Sequence, residues 1–173
     1  RSIVDPGNID FANAWLATGI TLSWQDAPDE MYGKSLRLSC DAGIVNKTIT
    51  LPLLPDYRGK YPKALPRMEW RIKVSDWSAV TRVYLYATET VGTSKGMLWV
   101  AAAEDGTSQF GAKGPHRASR WDNKFRTLVT TPYANRTVVG GAAWGDGAPE
   151  YTVKSIAITV STTSAVTIDI NRV

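Results

Sequence analysis

Met68-Glu69-Trp70-Arg71-Ile72-Lys73-Val74, Arg82-Val83-Tyr84-Leu85-Tyr86-Ala87-Thr88 and Met97-Leu98-Trp99-Val100-Ala101 are three successive runs in which polar and apolar residues alternate with a period of two. Consecutive side chains on an extended backbone point to opposite sides, so this alternation predicts β-strands with two unlike faces. In the first run Met68, Trp70, Ile72 and Val74 share one face, and Glu69, Arg71 and Lys73 the other. In the second, Val83, Leu85 and Ala87 oppose Arg82, Tyr84, Tyr86 and Thr88. With Leu98 and Val100 turned to the core, Trp99 falls on the far side. The three runs together predict a sheet whose exposed face carries charges, two tyrosines and a tryptophan, which is a candidate binding surface.

The same pattern extends outward along the chain. Ile20 to Trp24, Ser35 to Cys40 and Lys47 to Leu53 alternate before the central runs, and Phe125 to Thr131, Thr137 to Ala143, Tyr151 to Ser161 and Ala165 to Asn171 follow them. Turn chemistry separates these runs at Gln25-Asp26-Ala27-Pro28-Asp29, Asp41-Ala42-Gly43, Glu104-Asp105-Gly106-Thr107 and Gly145-Asp146-Gly147-Ala148-Pro149. Ile9 to Leu16 reads as one or two helical turns or an irregular lead-in, and Leu54 to Pro66, with its three prolines, as a long surface loop. Nine or ten short strands without a long amphipathic helix predict an all-β protein, an antiparallel β-sandwich.

Composition narrows the class. A chain of 173 residues fits one domain with room for a sizeable core, and no apolar run approaches the roughly 18 residues of a membrane span, so no membrane partner is expected. Cys40 is the single cysteine, which excludes an internal disulfide and leaves stability to the core. The formal charge of +4 favours neutral or anionic partners only slightly. Lys113, Arg117, Arg120, Lys124 and Arg126, broken by Asp122, form a basic segment that suits an anionic polysaccharide or a solvated loop, but it lacks the density of a phosphate-tracking arm, which argues against nucleic acid. The chain starts at Arg1, as expected of an excised domain or processed chain linked to further domains.

The order of features resembles the jelly-roll carbohydrate-binding modules attached to polysaccharide-acting enzymes, a group described as galactose-binding-like. The matching pieces are Asp10-Phe11 with Trp15 shortly after, Gly33-Lys34-Ser35-Leu36-Arg37-Leu38, the central strands, Val153 to Val160, and Val166-Thr167-Ile168-Asp169-Ile170 as an aspartate-bearing last strand. Related jelly rolls occur in phage tail proteins that recognise surface polysaccharide. The resemblance implies a jelly-roll β-sandwich, a polysaccharide or glycan as partner, and an extracellular or virion-associated location. It also implies a structural calcium ion, with Asp10 and Asp169 at positions from which such modules bind it. Two carboxylates would need backbone carbonyls to complete the shell, and a plain surface aspartate is the ordinary alternative.

Sugar rings stack their C–H faces on aromatic rings, while their hydroxyls require oriented donors and acceptors, and Trp and Tyr supply both an apolar face and a polar edge. Seven Trp and seven Tyr against three Phe fit that chemistry. Tyr84, Tyr86 and Trp99 form the candidate stacking set, with Glu69, Arg71 and Lys73 as hydrogen-bonding partners. The ordinary alternative is that these rings form a second small core beneath the loops. Trp15, Trp24 and Trp70 are assigned to the main core, while Trp77, Trp121 and Trp144, in or beside loops, are further candidates for ligand contact.

Little points to catalysis. His116 is the only histidine, no G-x-S-x-G run occurs, and Glu69, Glu89, Glu104 and Glu150 are scattered rather than paired. The expectation is a non-catalytic module, against two other readings: a structural or assembly domain of a tail or adhesin protein, and a small polysaccharide lyase or hydrolase.

Overall fold

The computed structural model describes residue 7 and residues 9–57, 59–62, 68–88, 96–101, 122–130, 136–139 and 150–172. Twelve strands are found among them: β1 Ile20–Asp26, β2 Lys34–Cys40, β3 Lys47–Pro52, β4 Gly59–Pro62, β5 Met68–Val74, β6 Val80–Thr88, β7 Gly96–Ala101, β8 Arg126–Thr130, β9 Arg136–Val139, β10 Glu150–Val153, β11 Ser155–Thr162 and β12 Val166–Arg172. One five-stranded sheet runs in the order β1-β2-β12-β5-β8, a second in the order β3-β11-β6-β7-β9, and β10 pairs with β4. All pairings are antiparallel. The fold is an antiparallel β-sandwich of the jelly-roll kind.

Alternation builds the core. Leu36 and Leu38 of β2, Trp70 and Ile72 of β5 and Ile168 of β12 leave the first sheet on its inner side, and Ile49, Leu51, Ile156 and Ile158 meet them from the second. Each such aliphatic side chain contributes about 1.5–3 kcal/mol relative to an exposed one. Cys40 lies in the same cluster, where burial first, and the Asp41 charge second, push its thiol up to about 12. It is a packing residue.

The three runs expected to form one sheet are divided between two. β5 belongs to the first sheet, and β6 and β7 to the second. The crossing is made by a single 3-10 turn, Trp77–Ala79, capped by Asp76, whose carboxylate accepts from Ser78 N at 2.8 Å and Ser78 Oγ at 2.6 Å. Trp77 N donates to Asp122 Oδ1 at 2.9 Å and Asn123 N to Val74 O at 2.9 Å, which ties the chain entering β8 to the end of β5.

Two other expectations change. The stretch expected as a loop from Leu54 to Pro66 contains a 3-10 turn, Pro55–Tyr57, and β4, whose last residue is a proline that needs no donor. The run expected as one strand from Tyr151 to Ser161 is β10 and β11, parted at Lys154, whose carbonyl accepts from Leu53 N at 2.9 Å.

The segment before β1 adds to the edge of the second sheet through bridges from Ile9 to Leu53 and from Trp15 to Thr50. Its helical part is one 3-10 turn, Phe11–Asn13. The segment ends at Gly19, with φ +87, where an added Cβ would stand 2.9 Å from Ile44 Cγ2. Only glycine meets both conditions without strain.

Candidate functional site

The outer face of the first sheet is polar because each of its central strands inserts charged or hydroxyl residues between core residues. On β2 these are Ser35, Arg37 and Ser39, on β12 Asp169, and on β5 Arg71 and Lys73. Strand pairing puts Ser23, Arg37, Asp169 and Lys73 in one row across four strands. Arg37 Nε donates to Asp169 Oδ1 at 2.6 Å and Arg37 Nη2 to Oδ2 at 2.8 Å, and Lys73 Nζ stands 2.9 Å from the same Oδ2. Arg37 Nη1 reaches Gln25 Oε1 at 3.3 Å, and Gln25 Nε2 donates to Ser23 Oγ at 3.1 Å. The row is one connected network.

A second ion pair crosses the face beside it. Glu30, in the turn between β1 and β2, accepts from Arg71 Nε at 2.8 Å and Nη2 at 2.7 Å. Backbone bonds from Glu30 N to Ala27 O, Gly33 N to Glu30 O and Ala27 N to Gly33 O hold that turn in shape. Phe125 lies against both cations, with Lys73 Nζ 4.9 Å and Arg71 Cζ 5.7 Å from its ring centroid, within cation–π range.

Electrostatics fix the charge states. Burial, the largest single influence on Asp169, pushes its carboxyl up, but the Arg37 and Lys73 hydrogen bonds and charges together outweigh it and hold the group below the usual carboxylate range. The hydrogen bond to Asp169 raises Arg37 against the opposing effect of burial, and that to Glu30 raises Arg71 in the same way. Three buried polar atoms lie on this sheet without a partner among the described residues, Ser35 Oγ, Asn171 Oδ1 and, on the core side, Trp70 Nε1. Asn171 falls at the irregularity between Ile170 and Arg172, and its Nδ2 donates to Lys34 O at 2.8 Å.

Of the residues singled out in the sequence, Arg71 and Lys73 lie in this network. Glu69 is on the same strand, in register with Val129. Tyr84, Tyr86 and Trp99 are on the other sheet, so the expected joint surface of charges and aromatics is divided. Pairing puts Tyr84 opposite Thr159 and Tyr86 opposite Ala157, whereas Trp99 pairs with Leu85, which pairs with the core residue Ile158. Trp99 therefore stands in a different register row from the tyrosines. Trp121 and Trp144 lie outside the described residues, as do His116, Lys113, Arg117 and Arg120.

Asp10 and Asp169 are not brought together. Asp10 is attached to the edge of the second sheet through its N–H to Pro52 O at 2.8 Å, and its carboxylate accepts from Asn13 Nδ2 at 2.8 Å. Both Asp169 oxygens are occupied by cations, so the donor set there does not fit a calcium ion. Among the described residues no group of three or more His, Cys, Asp or Glu is placed to hold a metal.

The tryptophans are redistributed. Trp70 is in the core and Trp24 packs against it half-buried, as expected. Trp15 is instead 60% exposed, because its bridge to Thr50 fixes it at a sheet edge. Trp77 is buried, because the capped turn folds its ring into the core cluster, with Arg126 Cζ 5.6 Å from the ring.

No protein-family model matches the chain, and no curated protein matches it. Among solved structures it is similar to a family 11 carbohydrate-binding module from Clostridium thermocellum in complex with a beta-1,3-1,4-mixed-linked tetrasaccharide, with a TM-score of 0.49 and 10% identity over 92% of this chain and 84% of that one. The functional reading rests on the charged face.

Proposed function

We propose that the chain is a non-catalytic carbohydrate-binding module of a larger extracellular or virion-associated protein, taking a polysaccharide or glycan on the outer face of the sheet containing β5. The observation that carries this reading is the locked network of Arg37, Asp169 and Lys73 beside Arg71 and Glu30. Sugar hydroxyls need donors and acceptors oriented before binding, and side chains already held by one another lose little further freedom when a ligand arrives. Phe125 adds an aromatic surface among them.

The same geometry disfavours catalysis at this face. Asp169 is kept ionised by two cations, so it does not supply a proton as a general acid, and Glu30 is committed to Arg71. Cys40, with its raised thiol, offers no thiolate nucleophile.

Affinity electrophoresis through gels containing neutral and acidic polysaccharides tests the reading. The chain should be retarded by at least one polysaccharide, and Arg71→Ala and Phe125→Ala should restore free mobility while remaining folded. Retardation unchanged by both variants would move the site elsewhere. A second reading, an assembly domain, is favoured by the exposed Phe11, Trp15 and Leu16 on the segment before β1. Absence of retardation by every polysaccharide would favour it.

A further inference from the structure

The charged face is asymmetric in depth. Arg37, Arg71 and Lys73 keep 28%, 27% and 25% of their side-chain surface exposed, whereas Asp169 keeps none and Glu30 12%. The carboxylates lie low in the face and the cations stand above them. From this depth order we infer that the ligand is an acidic glycan, one bearing carboxylate or sulfate groups. The inference rests on the glycan-binding reading and specifies the ligand of the same face.

Within the network the three cations Arg37, Arg71 and Lys73 outnumber the two carboxylates Asp169 and Glu30, and the cations are the more exposed partners. The guanidinium groups are oriented to use that exposure. Arg37 commits Nε and Nη2 to Asp169 and offers Nη1 only a long 3.3 Å contact with Gln25. Arg71 commits Nε and Nη2 to Glu30, and its Nη1 has no partner among the described residues. Each guanidinium is thus held by one edge, and among the described residues no carboxylate takes its Nη1, which leaves that nitrogen able to meet an incoming oxyanion, the group that such a planar fork recognises best.

Spacing suits a chain rather than one small anion. Arg37 and Lys73 converge on one carboxylate and so form one cationic cluster, while Arg71, held by Glu30 two residues along β5 and about 7 Å away on the backbone, forms a second. A neutral glycan would find donors here in excess of acceptors, because both carboxylates are saturated by their own cations. An acidic glycan supplies the acceptors that the face lacks.

The test is calorimetric titration of the full chain with a polyuronate, a sulfated glycosaminoglycan, a neutral mixed-linkage glucan and single-stranded DNA, at low and at physiological salt. The polyuronate or the sulfated chain should bind about tenfold or more tightly than the glucan, with affinity falling as salt rises, and which of the two binds better identifies the oxyanion. Arg71→Gln should weaken that binding about tenfold, the value of one charge-assisted hydrogen bond, and Arg71→Lys should restore part of it. Binding to the glucan alone would overturn the inference and leave the glycan reading standing. Binding to DNA as tightly as to the acidic glycans would overturn it by showing a non-selective attraction for polyanions. Failure to bind any of the glycans would overturn both.

Discussion

Arg37 and Asp169 stand opposite one another on neighbouring strands, 132 residues apart in sequence, joined by bonds of 2.6 and 2.8 Å from the two nitrogens of one guanidinium edge. Lys73 closes on the same carboxylate from the other neighbouring strand. One buried carboxylate therefore fixes two cations, and through them three adjacent strands of the first sheet.

Replacing Asp169 by Asn should destabilise the fold by about 3 kcal/mol, the lower part of the range for breaking a buried ion pair, because the two cations left behind are partly hydrated. Urea unfolding measures it directly. A loss below about 0.5 kcal/mol, the scale of an ordinary surface substitution, would mean that the network is ornamental to stability.

The same carboxyl predicts a pH dependence. Its folded value lies below the ordinary 3.8, so in the window between the two values the unfolded chain binds more protons. Its stabilising contribution is therefore complete above the unfolded value and is lost as pH falls through the folded one. Across that window the Asp169→Asn variant should show a flatter decline than the parent. Equal slopes for the two proteins would exclude Asp169 as the source.

Trp70 and Trp15 should differ sharply in stability measurements. Trp70→Ala removes a fully buried ring and should cost about 3–5 kcal/mol, while Trp15→Ala removes a largely exposed one and should fall within about 1 kcal/mol of the parent. Comparable losses would show that Trp15 is covered in solution.

How much of this was legible in the sequence depends on range. Leu36-Arg37-Leu38, Trp70-Arg71-Ile72-Lys73-Val74 and Ile168-Asp169-Ile170 each carry their alternation within a few residues, so strand identity, the inner faces and the outward turn of Arg71 and Lys73 could be read directly. Which strands become neighbours is not a local property. Nothing near Arg37 indicates Asp169 as its partner, and Asp76-Trp77-Ser78-Ala79 gives little sign that the chain changes sheets there. For that reason the charges of β5 and the aromatics of β6 and β7 read as one surface although they belong to two. Trp15 and Trp77 were exchanged between surface and core for a similar reason, since a bridge to Thr50 and a bond to Asp122 place them.

Cys40 should be silent toward thiol reagents in the folded protein at neutral pH and react fully once the chain is unfolded, because burial both shields the sulfur and suppresses its thiolate. Rapid reaction of the native protein would show that the end of β2 opens readily.

A chelator should leave the thermal midpoint unchanged, since Asp169 is satisfied by Arg37 and Lys73. A midpoint that falls with chelator and recovers with added calcium would place an ion at donors other than this network.

The most direct test of the account is to record backbone and side-chain NMR shifts while titrating the labelled chain with an oligosaccharide of whichever polysaccharide retards it. The account predicts perturbations concentrated at Gln25, Arg37, Arg71, Lys73 and Phe125, with β6 and β7 nearly silent. Perturbations centred on Tyr84, Tyr86 and the edge around Trp15, with the Arg37 to Lys73 row unmoved, would contradict it.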